Sequence, residues 1–204
     1  LADELNGMRP DSARVLIANL SEANAITELA AASLNAYGRL DALVNNASSF
    51  YPTPVGQTTQ DQWDDLFASN ARAPFFLSQA LTPALQASGQ GCMVNVIDIH
   101  AEFPLTEHTV YCMAKAALAA MTKSLAKELA PSVRVNGVAP GAIAWPEGSG
   151  EMTSAMQAEI LRSVPLGRVG GFDSIADTIA FLIEGTDYIS GQIIAVDGGR
   201  SVWG

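Results

Sequence analysis

Residues 92–97 read CMVNVI and residues 133–139 read VRVNGVA, with a long helical stretch from about His108 to Ala130 between them. The outer runs are short and almost wholly apolar, so each reads as a strand buried on both faces. Pro131 stops the helix between them, because proline cannot continue the helical hydrogen bonds. Strand, helix, strand with both strands fully buried is the unit of a parallel sheet covered on two sides.

The same alternation extends outward. RVLIA at 14–18 and ALVN at 42–45 read as two earlier strands, and residues 192–196 as a last one. A helix is expected from Ser21, as its N-cap, to about Tyr37, with Gly38 as its stop. Residues 46–58 are a loop rich in Ser, Pro and Gly, followed by one long helix over about 59–87. Residues 140–150 form another loop, and helices cover about 153–163 and 174–184. No repeat or linker interrupts this order, so residues 1–204 read as one domain of the α/β class, a doubly wound parallel sheet of the kind that often serves as a dinucleotide-binding domain. The chain opens on Leu1–Met8, which reads as the tail of a helix. No strand with a glycine-rich turn precedes it, although such folds place that strand at the centre of the sheet. An N-terminal βαβ portion on the order of 40 residues is therefore expected to be missing from these 204 residues.

Composition agrees with a packed domain: 49% of residues are apolar and 16% charged. A formal charge of −10 argues against nucleic acid or an anionic membrane as partner. No apolar run approaches the roughly 18–20 residues of a membrane span. Neither secretory leader nor metal-ligand spacing is visible; Cys92 and Cys112 read as reduced core thiols of a cytoplasmic protein.

Ligands of open parallel sheets bind beyond the carboxyl ends of the strands. Three strands here end unusually, in Asn45-Asn46-Ala47-Ser48-Ser49-Phe50, in Asp98-Ile99-His100 and in Pro140-Gly141-Ala142. Tyr111 and Lys115 lie four apart on a helix, hence on one face. Tyrosine titrates near pH ~10, and a neighbouring ammonium lowers that value by favouring the phenolate. Such a pair suits proton transfer during reduction of a carbonyl or imine. Asn70 precedes Pro74 by four, so its carbonyl loses a helical partner, and a kink there offers a place for a water molecule. Phe50, Tyr51, Phe103 and Trp145 are loop aromatics near the crevice; any of them offers a stacking face, though Tyr51 and Phe103 read equally as loop pins. His100 and His108 read as solvated loop residues. Gly198-Gly199 reads as a turn, and Asp61, Asp64 and Asp65 as structural acids near a helix N-terminus.

Asn45-Asn46-Ala47, Asn70, Tyr111-x-x-x-Lys115, Arg134-Val135-Asn136, Pro140-Gly141 and Val196-Asp197-Gly198-Gly199 follow the order and spacing of short-chain dehydrogenases/reductases. The sequence resembles that family from about Ser12 to its end. The resemblance implies a Rossmann-type fold and hydride transfer from a nicotinamide cofactor. It makes Tyr111 the proton donor, Lys115 the holder of the nicotinamide ribose, and Asn70 the keeper of a relay water. Leu20, Asn45, Asn46, Ala47, Ser48, Pro140, Gly141, Ala142 and Ile143 would line the cofactor together with Tyr111 and Lys115.

Two departures stand out. The family's TGxxxGxG turn is not found in these residues. The serine usual thirteen positions before the tyrosine is here Asp98. A serine hydroxyl donates to a substrate carbonyl; an ionised carboxylate only accepts. With Asn46–Pro54 (NASSFYPTP), this resembles the pteridine reductases, and the resemblance implies catalysis by Asp98, Tyr111, Lys115 and Asn70. Ser48, Phe50, Asp98, Tyr111 and Trp145 would hold a pterin, with Phe50 stacked on it. NADPH is the implied cofactor, NADH the alternative. A homotetramer follows by analogy, the helices at 59–87 and 108–130 packing through Ala114, Ala116, Ala117, Ala119 and Ala120. The rival readings are a reductase of oxoacyl or sugar ketones and a non-catalytic nucleotide-binding scaffold or redox sensor.

Overall fold

The computed structural model describes residues 1–145 and 152–202. Four strands form one parallel sheet in the order β1 (Ala42–Asn45), β2 (Gly91–Val96), β3 (Val133–Pro140), β4 (Ile193–Val196). Each strand pairs with its successor, for example Val44 with Val94, Val94 with Asn136 and Val138 with Ile194. Alternate side chains of a strand point to opposite faces, and here both faces are covered. On one, Leu43, Met93, Val133 and Val135 pack with Ala30 of α2 (Ala23–Tyr37), Leu81 and Leu85 of α4 (Ala73–Ala87) and Ala126 of α5 (Thr109–Glu128). On the other, Cys92, Val94 and Val138 pack with Leu182 of α7 (Phe172–Glu184). The outer helices α1 (Ala2–Met8) and α6 (Ser154–Arg162) bury no residue completely. Both cysteines are free and buried, as their place in the core requires.

Arg134 and Asn136 of β3 point to the α7 side, where Asn136 is fully buried and Arg134 half-buried. Arg134 donates to the carbonyls of Leu182 and Ile183 at the end of α7 (2.8 and 3.1 Å), and Asn136 Nδ2 to that of Ile189 (2.8 Å). Arg134 satisfies carbonyls that a helix end leaves without partners, and Asn136 ties β3 to the segment that leads into β4.

Four sequence expectations change. RVLIA at 14–18 forms no strand; Val15 and Ile17 are 70% and 97% exposed. A strand is held by its neighbour's backbone, and this run pairs with no strand among the described residues. Glu22 rather than Ser21 is the N-cap of α2, while Gly38 ends it at φ +73 as expected. The long helix over 59–87 is three pieces: α3 (Gln60–Phe67), a π turn at Ala68–Arg72, and α4. Ala114 is fully buried in the chain's own core, so it is not available to a partner, whereas Ala117 and Ala120 are exposed.

A buried polar chain crosses the sheet. Asn45 Nδ2 donates to Asn95 Oδ1 (2.8 Å) and Ser78 Oγ (3.2 Å); Asn95 Nδ2 donates to Thr122 Oγ1 (2.9 Å). Replacing Asn95 by leucine would take from the Asn45 amide one of its two acceptors and from the Thr122 hydroxyl, which also donates to the Leu118 carbonyl, its donor. The Asn95→Leu variant is expected to lose about 1–3 kcal/mol of unfolding free energy, read as a lower urea midpoint. An unchanged midpoint would show that the chain contributes nothing net.

Candidate active site

Asp98 follows the end of β2 and Tyr111 stands in the first turn of α5. Their thirteen-residue spacing brings them together: Tyr111 Oη donates to Asp98 Oδ2 (2.7 Å). The other oxygen, Oδ1, accepts the N–H of His100 (2.8 Å), so the carboxylate caps the short 3-10 turn Ile99–Ala101. Lys115, one turn further along α5, is 2% exposed. Its Nζ lies 5.8 Å from the Tyr111 ring centre and donates to the carbonyl of Val96 (3.0 Å). An ammonium has three N–H groups, and Val96 is its one hydrogen-bond acceptor among the described residues. Two donors thus remain free beside the phenol, at the carboxyl end of the sheet. That donor set fits a vicinal diol such as a ribose.

Electrostatics in this pocket pull two groups in opposite senses. Burial pushes the Tyr111 phenol well above the ordinary tyrosine range; the negative charge of Asp98 and the hydrogen bond to it push the same way, and only Ser48 pulls back. The four-residue spacing to Lys115 by itself predicts a lower value. Burial is the largest cause, and the carboxylate that adds to it contacts the hydroxyl directly while the ammonium does not, so Tyr111 stays a proton-bearing donor. Burial lowers Lys115 from 10.5 to about 8, against the opposing pull of Asp98.

Asn70 is fully buried within the π turn, a distortion found where proline or function interrupts an α-helix. Its side chain is committed: Nδ2 donates to the carbonyls of Ser49 and Leu66 (2.9 Å each), and Oδ1 accepts from Ser48 Oγ (2.7 Å). The Ser48–Ser49 segment is thereby tied to the π turn. Ser48, Asn46 and Ala47 are exposed beyond β1. Asn45 is buried and spends its amide N–H groups on Ser78 and Asn95. Beyond β3, Gly141 N donates to Val196 O (3.1 Å), and the carbonyls of Ala142 and Ile143 accept from Gly170 and Gly171 (2.9 Å each). Pro140–Ile143 therefore stand at the same end of the sheet as Asp98. Leu20 sits in a turn instead of at a strand end, because the strand before it does not form.

Among the aromatics, Phe50 meets the site. Its ring is perpendicular to Tyr111 (centroids 4.8 Å, 80°) and parallel to His108 (4.6 Å, 13°). His108 is thus packed on a ring, which corrects its reading as a solvated loop residue. Tyr51 Oη donates to Asp65 Oδ2 (2.8 Å), and this, after burial, raises its pKa to about 12. Tyr51 is a loop pin. Asp65 is its acceptor, and only Asp61 of the three acids lies in the first turn of α3. Phe103 lines a cavity of about 560 Å3 with Asp98, Ile99, Gln192 and Ile193, which neither Phe50 nor Tyr111 lines. Trp145 is half-buried; no ring pairing or hydrogen bond joins it to Phe50, Asp98 or Tyr111 among the described residues. The rest of its loop, residues 146–150, lies outside the described residues. Gly198 and Gly199 turn with φ +65 and +87, as their sequence implied, and the neighbouring Asp197 accepts the N–H groups of Gly199 and Ser201 (2.9 and 2.6 Å).

The family model described as enoyl-(acyl carrier protein) reductase matches residues 2–201. Pteridine reductase 1 of Leishmania tarentolae is 37% identical, over 99% of this chain and 83% of that protein. The chain is a short-chain dehydrogenase/reductase. Other relatives are the 3-oxoacyl-[acyl-carrier-protein] reductase of Thermotoga maritima, 32% identical over 98% of this chain and 81% of its own length, and bovine L-xylulose reductase, 36% over 82% and 70%. A putative short-chain alcohol dehydrogenase of Sinorhizobium meliloti has the same fold, with a TM-score of 0.88 at 27% identity over 92% of this chain and 76% of that one. As a family member the chain is an oxidoreductase of a small molecule with a nicotinamide dinucleotide as cofactor. No helix among the described residues is long and apolar enough to cross a membrane.

Burial of Lys115 has a measurable consequence. Below pH 8 the folded and unfolded chains both hold its proton, and the folded state bears the whole desolvation cost. Between about 8 and 10.5 the unfolded chain holds the proton and the folded chain does not, so folding becomes easier as pH rises. Lys115→Met lacks this term. Its stability advantage over wild type is expected to shrink by up to about 3 kcal/mol across that window, in denaturant unfolding at a series of pH values. A constant difference would show that Lys115 titrates normally.

Proposed function

We propose that this reductase acts on a pterin, converting a dihydropteridine to a tetrahydropteridine with NADPH. The observation that carries the reading is the 2.7 Å bond from Tyr111 to Asp98, a carboxylate where ketone-reducing relatives place a hydroxyl. A carboxylate beside a developing oxyanion is unfavourable. Beside a ring with N–H and amino groups it is an acceptor with lone pairs to spare. Phe50, with its ring next to Tyr111, offers the flat face that such a heteroaromatic substrate needs. The 37% identity to a pteridine reductase agrees with both.

When bound, the reduced nicotinamide supplies the hydride. Lys115 would hold its ribose with the two free N–H groups, Asn46, Ala47 and Ser48 would line the side beyond β1, and Pro140–Ile143 the side beyond β3. Tyr111 gives its phenolic proton to the ring nitrogen next to the carbon being reduced. Its hydroxyl turns from Asp98 to that nitrogen, and Asp98 then accepts from the substrate's N–H groups and fixes its register. Lys115 stabilises the resulting phenolate. A water at the Asn70 carbonyl, where Pro74 removes the helical N–H partner, links the phenolate to solvent for reprotonation.

The second reading is reduction of a ketone, an oxoacyl chain or a sugar, favoured by the similar identities of the oxoacyl and xylulose reductases. Asp98 weighs against it. Offered dihydrobiopterin, dihydromonapterin and dihydrofolate in parallel with a 3-oxoacyl thioester and a ketose, the full-length enzyme is expected to oxidise NADPH fastest with a pterin. Tyr111→Phe should lose about 10²-fold or more of that rate, and Asp98→Ser should harm pterin reduction more than ketone reduction. Turnover of ketones alone, or equal losses in Asp98→Ser, would overturn the pterin reading.

The enzyme is further proposed to be a homotetramer, the exposed Ala117 and Ala120 of α5 facing a second copy. Light scattering on the eluting protein is expected to give four times the chain mass; a monomer would remove this element.

A further inference from the structure

Glu107 holds φ +61, a left-handed conformation costly for a residue with a β-carbon. Its carbonyl accepts the backbone N–H of Thr53 (2.6 Å), and the fully buried Thr53 accepts, through Oγ1, the N–H of Val110 (3.4 Å). Thr53 thus clasps the loop that carries Phe50 to the turn that opens α5. His108 stands inside this clasp, between Glu107 and the first residue of the helix. It occupies the N-cap position, yet its side chain caps no helical N–H. Its Nδ1 bonds instead to the carbonyl of Thr106 (2.8 Å). A carbonyl only accepts, so Nδ1 carries the proton and the ring plane is fixed by a local bond.

That fixed ring lies parallel to Phe50 at 4.6 Å. Phe50 itself is 56% exposed. One of its faces is therefore backed by His108, its ring stands perpendicular to Tyr111, and more than half of the residue stays exposed. An unbacked phenyl ring on a loop would rotate about two side-chain bonds, and a substrate stacking on it would have to stop that motion at an entropic cost. A backed ring presents one orientation in advance.

We infer that His108 is a positioning residue for substrate: through its stack on Phe50 it holds the phenyl face at the angle on which a flat substrate docks beside Tyr111. The inference rests on the pterin reading, and it assigns the docking geometry to a residue that touches neither the reacting atoms nor the substrate's polar groups. His108 then acts on ground-state binding, so its loss raises KM and leaves kcat nearly alone.

The test compares wild type with His108→Ala, His108→Gln and His108→Phe, each also in a Phe50→Leu background, by steady-state kinetics with dihydrobiopterin and saturating NADPH. His108→Ala and His108→Gln are expected to raise KM about 3- to 10-fold, the scale of one aromatic pair. His108→Phe, which keeps a ring but loses the bond to Thr106, is expected to restore most of it. In the Phe50→Leu background the His108 substitutions should add nothing, because the partner they act through is gone. Circular dichroism confirms that each variant folds, and the Phe variant decides the matter if the Ala variant does not. A wild-type KM in His108→Ala, or a KM equally raised in His108→Phe, overturns the positioning role while pterin reduction stands. A wild-type enzyme that binds NADPH and reduces no pterin shows instead that the substrate reading has failed, and takes this inference with it.

Discussion

The sheet is buried on both faces, and almost everything else about the molecule is a consequence. Cys92 and Val94 of β2 face α7, while Met93 faces α2, α4 and α5. A strand so enclosed can present reactive groups only where it ends. Asp98 is placed there, the Asn46–Phe50 segment at the neighbouring end of β1, and Pro140–Ile143 at that of β3. The same enclosure makes any polar group within the sheet expensive unless it is paired. Asn95 is tolerated because Asn45 and Thr122 meet it from either side, which ties β1, β2 and α5 into one frame beneath the site.

Within that frame burial acts on charge. Tyr111 and Lys115 belong to one helix and share one pocket, yet their environments push them apart. The phenol keeps its proton more firmly than in water, and the ammonium holds its own less firmly. Divergent shifts of this kind separate donor from acceptor roles at neutral pH. The resting phenol is held by Asp98, so the carboxylate restrains the proton.

Loop 46–58 is as strongly built as the sheet. Asn70 binds Ser48 and Ser49 to the π turn, Tyr51 binds to Asp65, and Thr53 binds to Glu107 and Val110. These anchors come from three separate segments and hold Phe50 against Tyr111 with little freedom. Strain at Glu107 is tolerated where the clasp needs its carbonyl aimed at Thr53.

Much of this was legible in the sequence, and for physical reasons. Strand period and apolarity located β1 to β4 within a residue or two, since two-sided burial leaves room for few polar residues, and those only where a partner meets them. Glycine and proline marked the ends at Gly38 and Pro131. The thirteen residues from Asp98 to Tyr111, and the four from Tyr111 to Lys115, pointed to the candidate site because they join a strand end to one helical face, and the fold brings the three side chains together. What the sequence could not decide was pairing. RVLIA has the composition of a strand and no neighbour to make it one. His108 reads as a loop residue until the turn before α5 folds it onto Phe50. The same limit applied to charge: Lys115 four residues away predicted a more acidic tyrosine, and only the folded structure buries the phenol and sets it against Asp98, which together push the other way. Composition and period are properties of one segment and survive in a string of letters; contact and electrostatic balance belong to two segments at once, and only the tertiary structure brings them within reach.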